Sequence, residues 1–264
     1  MHRRLRGAFR VEWVWFSYVV LAGLVLGSFY NVVGLRVPAG ESFTGSSRSK
    51  CPSCGKTLGA LELIPVLSWL VLRGRCKGCG KGISPVYPVM ELATGALFGV
   101  AFWQFGLSAE LVVALLFFSM LVIITVSDLS TMLIPDKVLL FFGLPLLLLR
   151  VTAAPLDPSW WTALVGASLG FGILLLLAIA SRGGMGGGDI KLYLVIGLVL
   201  GPLHTVLSLF LAALFGLLYG LPRIVRKQTG RGHPIPFGPF IAIGASVAYL
   251  YGGEMLDWYM RLLF

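Results

Sequence analysis

Residues 111–135 read LVVALLFFSMLVIITVSDLSTMLIP: an uncharged run, 111–127, that ends on Asp128 and a turn closed by Pro135. At about 1.5 Å of rise per residue, such a run covers most of a hydrocarbon core roughly 30 Å thick. Nothing in that core satisfies free backbone groups, so the run must be helical. Comparable runs occupy 19–35 and 160–181. Composition agrees, with 57% hydrophobic and only 12% charged residues, where soluble domains carry roughly 25% charge. The sequence predicts an all-α, polytopic membrane bundle of about eight segments: 11–35, 86–105, 109–127, 137–151, 159–181, 189–201, 202–222 and 237–260. The sixth is short for a crossing and follows a glycine run, 183–188, so a broken or shallow helix is expected there, lining a wet cavity.

The first ten residues, MHRRLRGAFR, precede an apolar run as a secretory signal would, but no small-residue cleavage site leads into a polar region. The run therefore reads as a retained span. The net charge of +10 is spread over loops between spans, with no aromatic-basic recognition module, which argues against nucleic acid as a partner and for anionic lipid head groups. One large polar insertion, 36–85, carries Arg36, Arg48, Lys50, Lys56, Arg73, Arg75, Lys77 and Lys81. By the positive-inside rule it is cytoplasmic. The same scheme makes cytoplasmic the loops around Asp128 and Gly186 and the stretch with Arg223, Arg226, Lys227 and Arg231; Arg3, Arg4, Arg6 and Arg10 oppose it. Three parts follow: a first span, 1–35; the polar loop, 36–85; and a membrane bundle, 86–264. Apart from the glycines, no internal repeat or low-complexity tract is evident.

All four cysteines lie in the polar loop, as Cys51-Pro52-Ser53-Cys54 and Cys76-Lys77-Gly78-Cys79, each pair followed by glycine, Gly55 and Gly80. A two-residue gap folds into a tight turn whose thiolates face one tetrahedral ion, and two such pairs about 20 residues apart point to zinc. Four sulfurs leave no open position, so the metal would be structural. Two disulfides are the alternative, disfavoured by a reducing cytoplasm. The histidines, His2, His204 and His233, do not cluster.

Asp128 and Asp189 stand at the ends of apolar segments that the topology brings to one membrane face. A carboxylate at bilayer depth costs about 2.5–3.5 kcal/mol on insertion scales, which marks it as a functional candidate. Asp189 closes Gly186-Gly187-Gly188, where the absence of side chains at Gly186 and Gly188 lets a substrate backbone approach as an extended strand. Two carboxyl groups sharing a site can divide one proton, the neutral acid polarising a scissile carbonyl while its partner activates water. The same residues also read as a helix-end group and a helix N-cap. Asp136, after Pro135, is an alternative partner that reads better as the cap of the fourth segment.

Taken together, these residues resemble the type IV prepilin peptidase family, the bifunctional leader peptidase and N-methyltransferases. The resemblance runs through 27–33 (GSFYNVV), the cysteine pairs enclosing 64–70 (IPVLSWL), Tyr87-Pro88 with 91–95 (ELATG), Asp128 with Ile134-Pro135-Asp136, 186–192 (GGGDIKL) and 234–239 (PIPFGP). It implies a bacterial inner-membrane enzyme that cuts a basic leader from prepilins or pseudopilins after a glycine, at the cytoplasmic face. By motif position it makes Asp128 and Asp189 the catalytic pair. It further implies methylation of the new N-terminus from S-adenosylmethionine, with the cysteine loop linked to that step and Glu91 a candidate participant. The segment between Asn31 and Cys51 is shorter than in several members. Two other function classes stay open on the residues alone: a proton-coupled transporter, since intramembrane aspartates mark ion paths, and a metal-bearing assembly scaffold.

Overall fold

Every apolar run expected to cross the membrane is helical in the computed structural model, which describes residues 2–42, 49–156, 159–181, 184–225 and 235–263. Arg48, Gly183, Arg226, Lys227, Arg231, His233 and Pro234 lie outside the described residues. The long helices are α1 (His2–Arg36), α3 (Val86–Phe105), α4 (Ala109–Thr131), α5 (Asp136–Thr152), α6 (Trp161–Ala180), α7 (Gly187–Val225) and α8 (Gly238–Leu263), with a short α2 (Leu67–Val71) in the polar loop. Among the described residues the only β pairing is two isolated bridges, Lys50 with Thr57 and Arg75 with Gly82.

Five helices are long and apolar enough to cross a bilayer: Glu12–Arg36, Val86–Phe105, Ala109–Thr131, Trp161–Ala180 and Gly187–Leu221. The expected eight segments differ from this for local reasons. Helix α5 has 17 residues and an internal Pro145, about 26 Å of rise. Helix α8 carries Glu254, Asp257 and Arg261 toward its end. The sixth and seventh segments are one helical run that breaks where the hydropathy reading divided them, at Gly201, whose φ of 73° and ψ of 177° are not helical.

The chain forms two compact units, Met1–Val126 and Ser127–Phe264. In the first, α1 and α3 pack antiparallel through glycines. A Cβ on Gly23 would sit 2.9 Å from the Gly95 Cα, and one on Gly27 2.9 Å from the Glu91 Cα. Small residues spaced four apart let membrane helices approach backbone to backbone, where apolar burial gives no preference for protein over lipid. The Tyr30 hydroxyl meets the Ser119 hydroxyl at 2.7 Å, tying α1 to α4. Trp13 of α1 and Trp103 of α3 pair at 6.3 Å, an aromatic cluster of the kind found at membrane interfaces. It sits at the end of the helix pair remote from the cysteine loop.

The second unit repeats the device. Gly166 of α6 and Gly197 of α7 are each so close to the other's backbone that neither could carry a side chain, and Gly201 joins the same contact. The break at Gly201 sets carbonyls free, and Pro202 has no N–H to offer. A buried arginine answers one of them: Arg150 of α5, 2% exposed, donates from Nη2 to the Val199 carbonyl at 2.8 Å and from Nη1 to that of Ala154 at 3.0 Å. Helices α5, α6 and α8 all pack on α7, the helix that carries Asp189.

Candidate functional site

Asp128 lies in the last turn of α4. The helix stops at Met132, whose φ of 55° is left-handed; the Ser127 hydroxyl donates to the Leu133 carbonyl, and Pro135 then precedes α5 with φ −71°. Asp128 is 6% exposed, and its Oδ2 accepts the N–H of Gly238 at 2.7 Å. That N–H is one of the donors a helix N-terminus leaves without an intrahelical partner. A Cβ at Gly238 would fall 2.8 Å from the Asp128 Oδ2, so only glycine lets α8 start against this carboxylate.

Asp189 is the third residue of α7 and half-buried. Its N–H donates to the Gly186 carbonyl at 3.2 Å, and it lies within electrostatic reach of Asp128. Gly188 has a packing duty here, since a Cβ on it would sit 2.9 Å from the Ile134 Cβ. The close approach seats the glycine turn against the turn that follows Asp128. Gly186 faces the Asp189 carboxylate, which a Cβ there would meet at 3.3 Å. Asp136 does not cap its helix as expected: the N-cap of α5 is Pro135, with no side-chain cap. Its two oxygens instead take the Lys191 ammonium at 2.7 and 2.9 Å, because Lys191 projects from the first turns of α7 toward the start of α5. Sequence reading quoted Gly238 within 234–239 but gave it no role at the site. Its signal was present, a glycine before proline at the head of an apolar run.

The four cysteines form a second constellation within the first unit. Each pair sits in the same turn. The Gly55 N–H donates to the Cys51 carbonyl at 2.9 Å and the Gly80 N–H to that of Cys76 at 2.9 Å; Cys51 and Cys76 in turn donate to the Lys56 and Lys81 carbonyls. Gly55 and Gly80 take φ of 70° and 71°, which glycine adopts without strain. The segments 50–57 (KCPSCGKT) and 75–82 (RCKGCGKG) are thus two copies of one knuckle. This corrects the expectation of no internal repeat; the unit is only eight residues long and is recognisable by its turn more than by its letters.

All four Sγ atoms lie within 4.8 Å of one another, with Cys51 to Cys79 at 3.9 Å and Cys54 to Cys76 at 4.0 Å, and the cysteines are free of disulfides. A tetrahedron with metal–sulfur bonds of about 2.3 Å has edges of about 3.8 Å, so the donor set fits a thiophilic cation. The N–H groups of Cys79 and Gly78 bring the Cys76 thiol down to about 6. The Lys56 N–H favours the Cys54 thiolate, but the neighbouring thiols outweigh it and push Cys54 up to about 11. A central cation removes that mutual opposition.

Glu91, 7% exposed on α3, reaches the polar loop. Its Oε2 accepts the Val66 N–H at 2.7 Å, fixing a residue whose φ of 62° is unusual for a β-branched side chain. The contact ties the start of α2 to the membrane helix.

Comparison with known proteins supplies the family. The profile described as Bacterial Peptidase A24 N-terminal domain matches residues 21–105, and that described as Type IV leader peptidase family matches 115–221. Similar proteins include the prepilin leader peptidase/N-methyltransferase of Bacillus subtilis, 44% identical over 246 residues, 93% of this chain and 98% of the relative. Proteins of the same name from Aeromonas salmonicida and Pseudomonas aeruginosa are 35% identical over 285 residues (96% of each chain) and 32% over 271 (92% of each). No solved structure matches. A likeness that runs through both halves at these identities leaves one assignment: the chain belongs to the type IV leader peptidase family, as a multi-pass, all-helical membrane enzyme.

Proposed function

We propose that this protein removes the basic leader of type IV prepilins or pseudopilins after a glycine, using Asp128 and Asp189, at the cytoplasmic face of a bacterial inner membrane. The observation that carries the reading is the pair itself: a buried carboxylate oriented by one N–H, within electrostatic reach of a second carboxylate at a glycine-rich helix start. The Gly238 N–H occupies Oδ2 of Asp128 and so leaves Oδ1 to face the reacting groups. One carboxyl group, neutral, polarises the scissile carbonyl; the other takes a proton from the attacking water, and the proton passes to the leaving amine as the tetrahedral intermediate collapses. Gly186 keeps the approach to Asp189 clear for an extended substrate backbone. The family's two-part names support the second activity, methylation of the new N-terminal amine by S-adenosylmethionine.

The division of labour follows the three parts of the sequence. Residues 1–35 supply a first span, 36–85 a zinc-binding loop that serves methyl transfer, and 86–264 the peptidase bundle. Zinc is the best occupant for four thiolates with tetrahedral spacing. Its role is to hold the loop's shape, since no coordination position remains for substrate. Lysines and arginines flanking the spans support contact with anionic lipid and the cytoplasmic orientation of loop and aspartates.

The test is mass spectrometry of a prepilin's N-terminus after incubation with purified protein, which reports the cut and the methyl group together. Asp128→Asn and Asp189→Asn are each expected to lower cleavage by at least about 10³-fold, an estimate from loss of an acid–base group together with its positioning. Unchanged cleavage by either variant refutes the assignment.

A further inference from the structure

Helix α2 of the polar loop keeps one side bare. By helical spacing Leu67, Leu70 and Val71 share that side, and all three are exposed, Val71 by 80%. Ser68, Trp69 and Leu72 share the other and are half-buried, Trp69 being held by its Nε1–H, which donates to the Ile83 carbonyl at 3.1 Å. The short turn Ala60–Leu63 packs against α2 and adds Leu61, 79% exposed. Apolar side chains gathered on one outward face of a mostly polar segment mark a surface that another phase or molecule covers.

The depth of α2 says which. Helix α3 has 20 residues, about 30 Å of rise, so its first residue stands near the edge of the hydrocarbon core. The Val66 N–H, immediately before α2, donates to the Glu91 carboxylate at 2.7 Å. Glu91 lies about 8 Å along α3 from that helix's start, and its side chain spans only a few ångströms. The start of α2 is therefore held at the boundary between head groups and acyl chains, not above it. Charge agrees with that place. Against its eight basic residues the segment 36–85 has two acidic ones, Glu41 and Glu62, and Glu62 already takes the Lys56 ammonium at 3.0 Å. Arg73 and Arg75, both exposed, follow the apolar side directly.

We propose that Leu67, Leu70 and Val71 of α2, with Leu61 beside them, are immersed in the acyl boundary of the adjoining lipid leaflet, and that Arg73 and Arg75 take its anionic head groups. Partial immersion of an apolar helical face beside basic residues is the physics of interfacial helices. Here it seats the cysteine knuckles on the bilayer surface. It requires nothing of the aspartate pair or of methyl transfer, only that the chain spans a membrane.

The test uses the full-length protein in vesicles of phosphatidylcholine containing phosphatidylglycerol, with a trace of phosphatidylcholine that carries a diazirine near the glycerol end of one acyl chain. Illumination of the unsubstituted protein is expected to leave lipid adducts within residues 61–71 as well as in the five long apolar helices. Leu70→Glu with Val71→Glu should lower the 61–71 adducts at least about tenfold, as carboxylates resist that depth. Adducts retained in the helices report that this variant is folded and inserted. Vesicles without phosphatidylglycerol should lower the 61–71 adducts about fivefold, a dependence that Arg73→Gln with Arg75→Gln removes. Labelled helices with no adduct in 61–71 overturn the proposal; a second copy of the chain or an apolar stretch of substrate covering α2 would give that result. Adducts in 61–71 that persist unchanged in the glutamate variant overturn it as well, and adducts indifferent to phosphatidylglycerol overturn the part given to the arginines.

Discussion

The cysteine module and the aspartate site are built on opposite plans. The module's ligands fall within residues 51–79, each pair in its own turn, with every turn hydrogen bond made a few residues away. The aspartate site draws on the end of α4, the start of α7 and the start of α8, and the hydrogen bond from Gly238 to Asp128 spans 110 residues. On the proposed metal reading, a local design of this kind relies on an outside agent, a cation, to hold four mutually repelling thiolates. A distributed design needs helices packed so closely that glycine is the only residue tolerated at the contacts. The difference teaches that one chain can secure two sites by unrelated means, and that each should fail in its own way.

Metal removal should expose that contrast most strongly. Structural zinc supplies about 10–16 kcal/mol in zinc-finger peptides, so chelation is expected to strip hydrogen-exchange protection from the amides of Cys51, Gly55, Cys76 and Gly80 by several orders of magnitude. The amides inside α6, α7 and α8 should keep theirs. Equal loss in both regions would break the comparison.

The distributed site has its own weak point at Gly238. Alanine there would place a Cβ 2.8 Å from the Asp128 Oδ2, and a displacement of about 1 Å in a catalytic group can cost 10²-fold in rate. Gly238→Ala is expected to lower kcat for leader cleavage by about that factor while bound metal per chain stays constant. A third probe lies at Arg150, beneath the break in α7. Arg150→Met leaves the Val199 and Ala154 carbonyls without their donor, a loss of about 3 kcal/mol if each buried acceptor costs 1–3, read as a shift in the denaturant midpoint of the purified protein.

The same contrast decides what the amino-acid sequence reveals. Local chemistry is legible: C-x-x-C-G names its own turn, and the cysteines appear in the structure as a single cluster. Helices are legible too, because a bilayer admits little else. Hydropathy counts apolar stretches and cannot tell a 17-residue α5 from a full crossing, although it did divide α7 at Gly201, where the helix breaks. Glycines at 23 and 27, 95 and 99, 166 and 170, and 197 and 201 carry the close-packing spacing in plain sight. Which of them face each other depends on helix rotation, a tertiary quantity. For the same reason Asp136 read as a cap: its partner Lys191 is 55 residues away. Asp128 could be singled out as a carboxylate at the end of an apolar run, and Gly238 as a glycine before proline, but that the one aims the other is a contact across 110 residues.

The smallest expected effect separates the proposed metal from the module's ordinary hydrogen bonds. Glu62 accepts the Gly59 N–H at 2.8 Å and the Lys56 ammonium at 3.0 Å, and the Gly59 N–H followed by Lys56 holds its carboxyl below the usual range. A carboxyl whose folded value is depressed binds its proton more readily in the unfolded chain. Its contribution is therefore complete above the unfolded value, about 4.3, and fades as pH falls through the lower folded value. The exposed pair is screened by salt, so its effect at neutral pH is slight. Glu62→Gln should leave metal binding intact, speed exchange at the Gly59 amide a few-fold at pH 7, and remove the acid-dependent step in that exchange seen with glutamate. If the substitution released the metal instead, the knuckles would depend on their surroundings as heavily as the aspartates do, and the two plans would no longer be distinct.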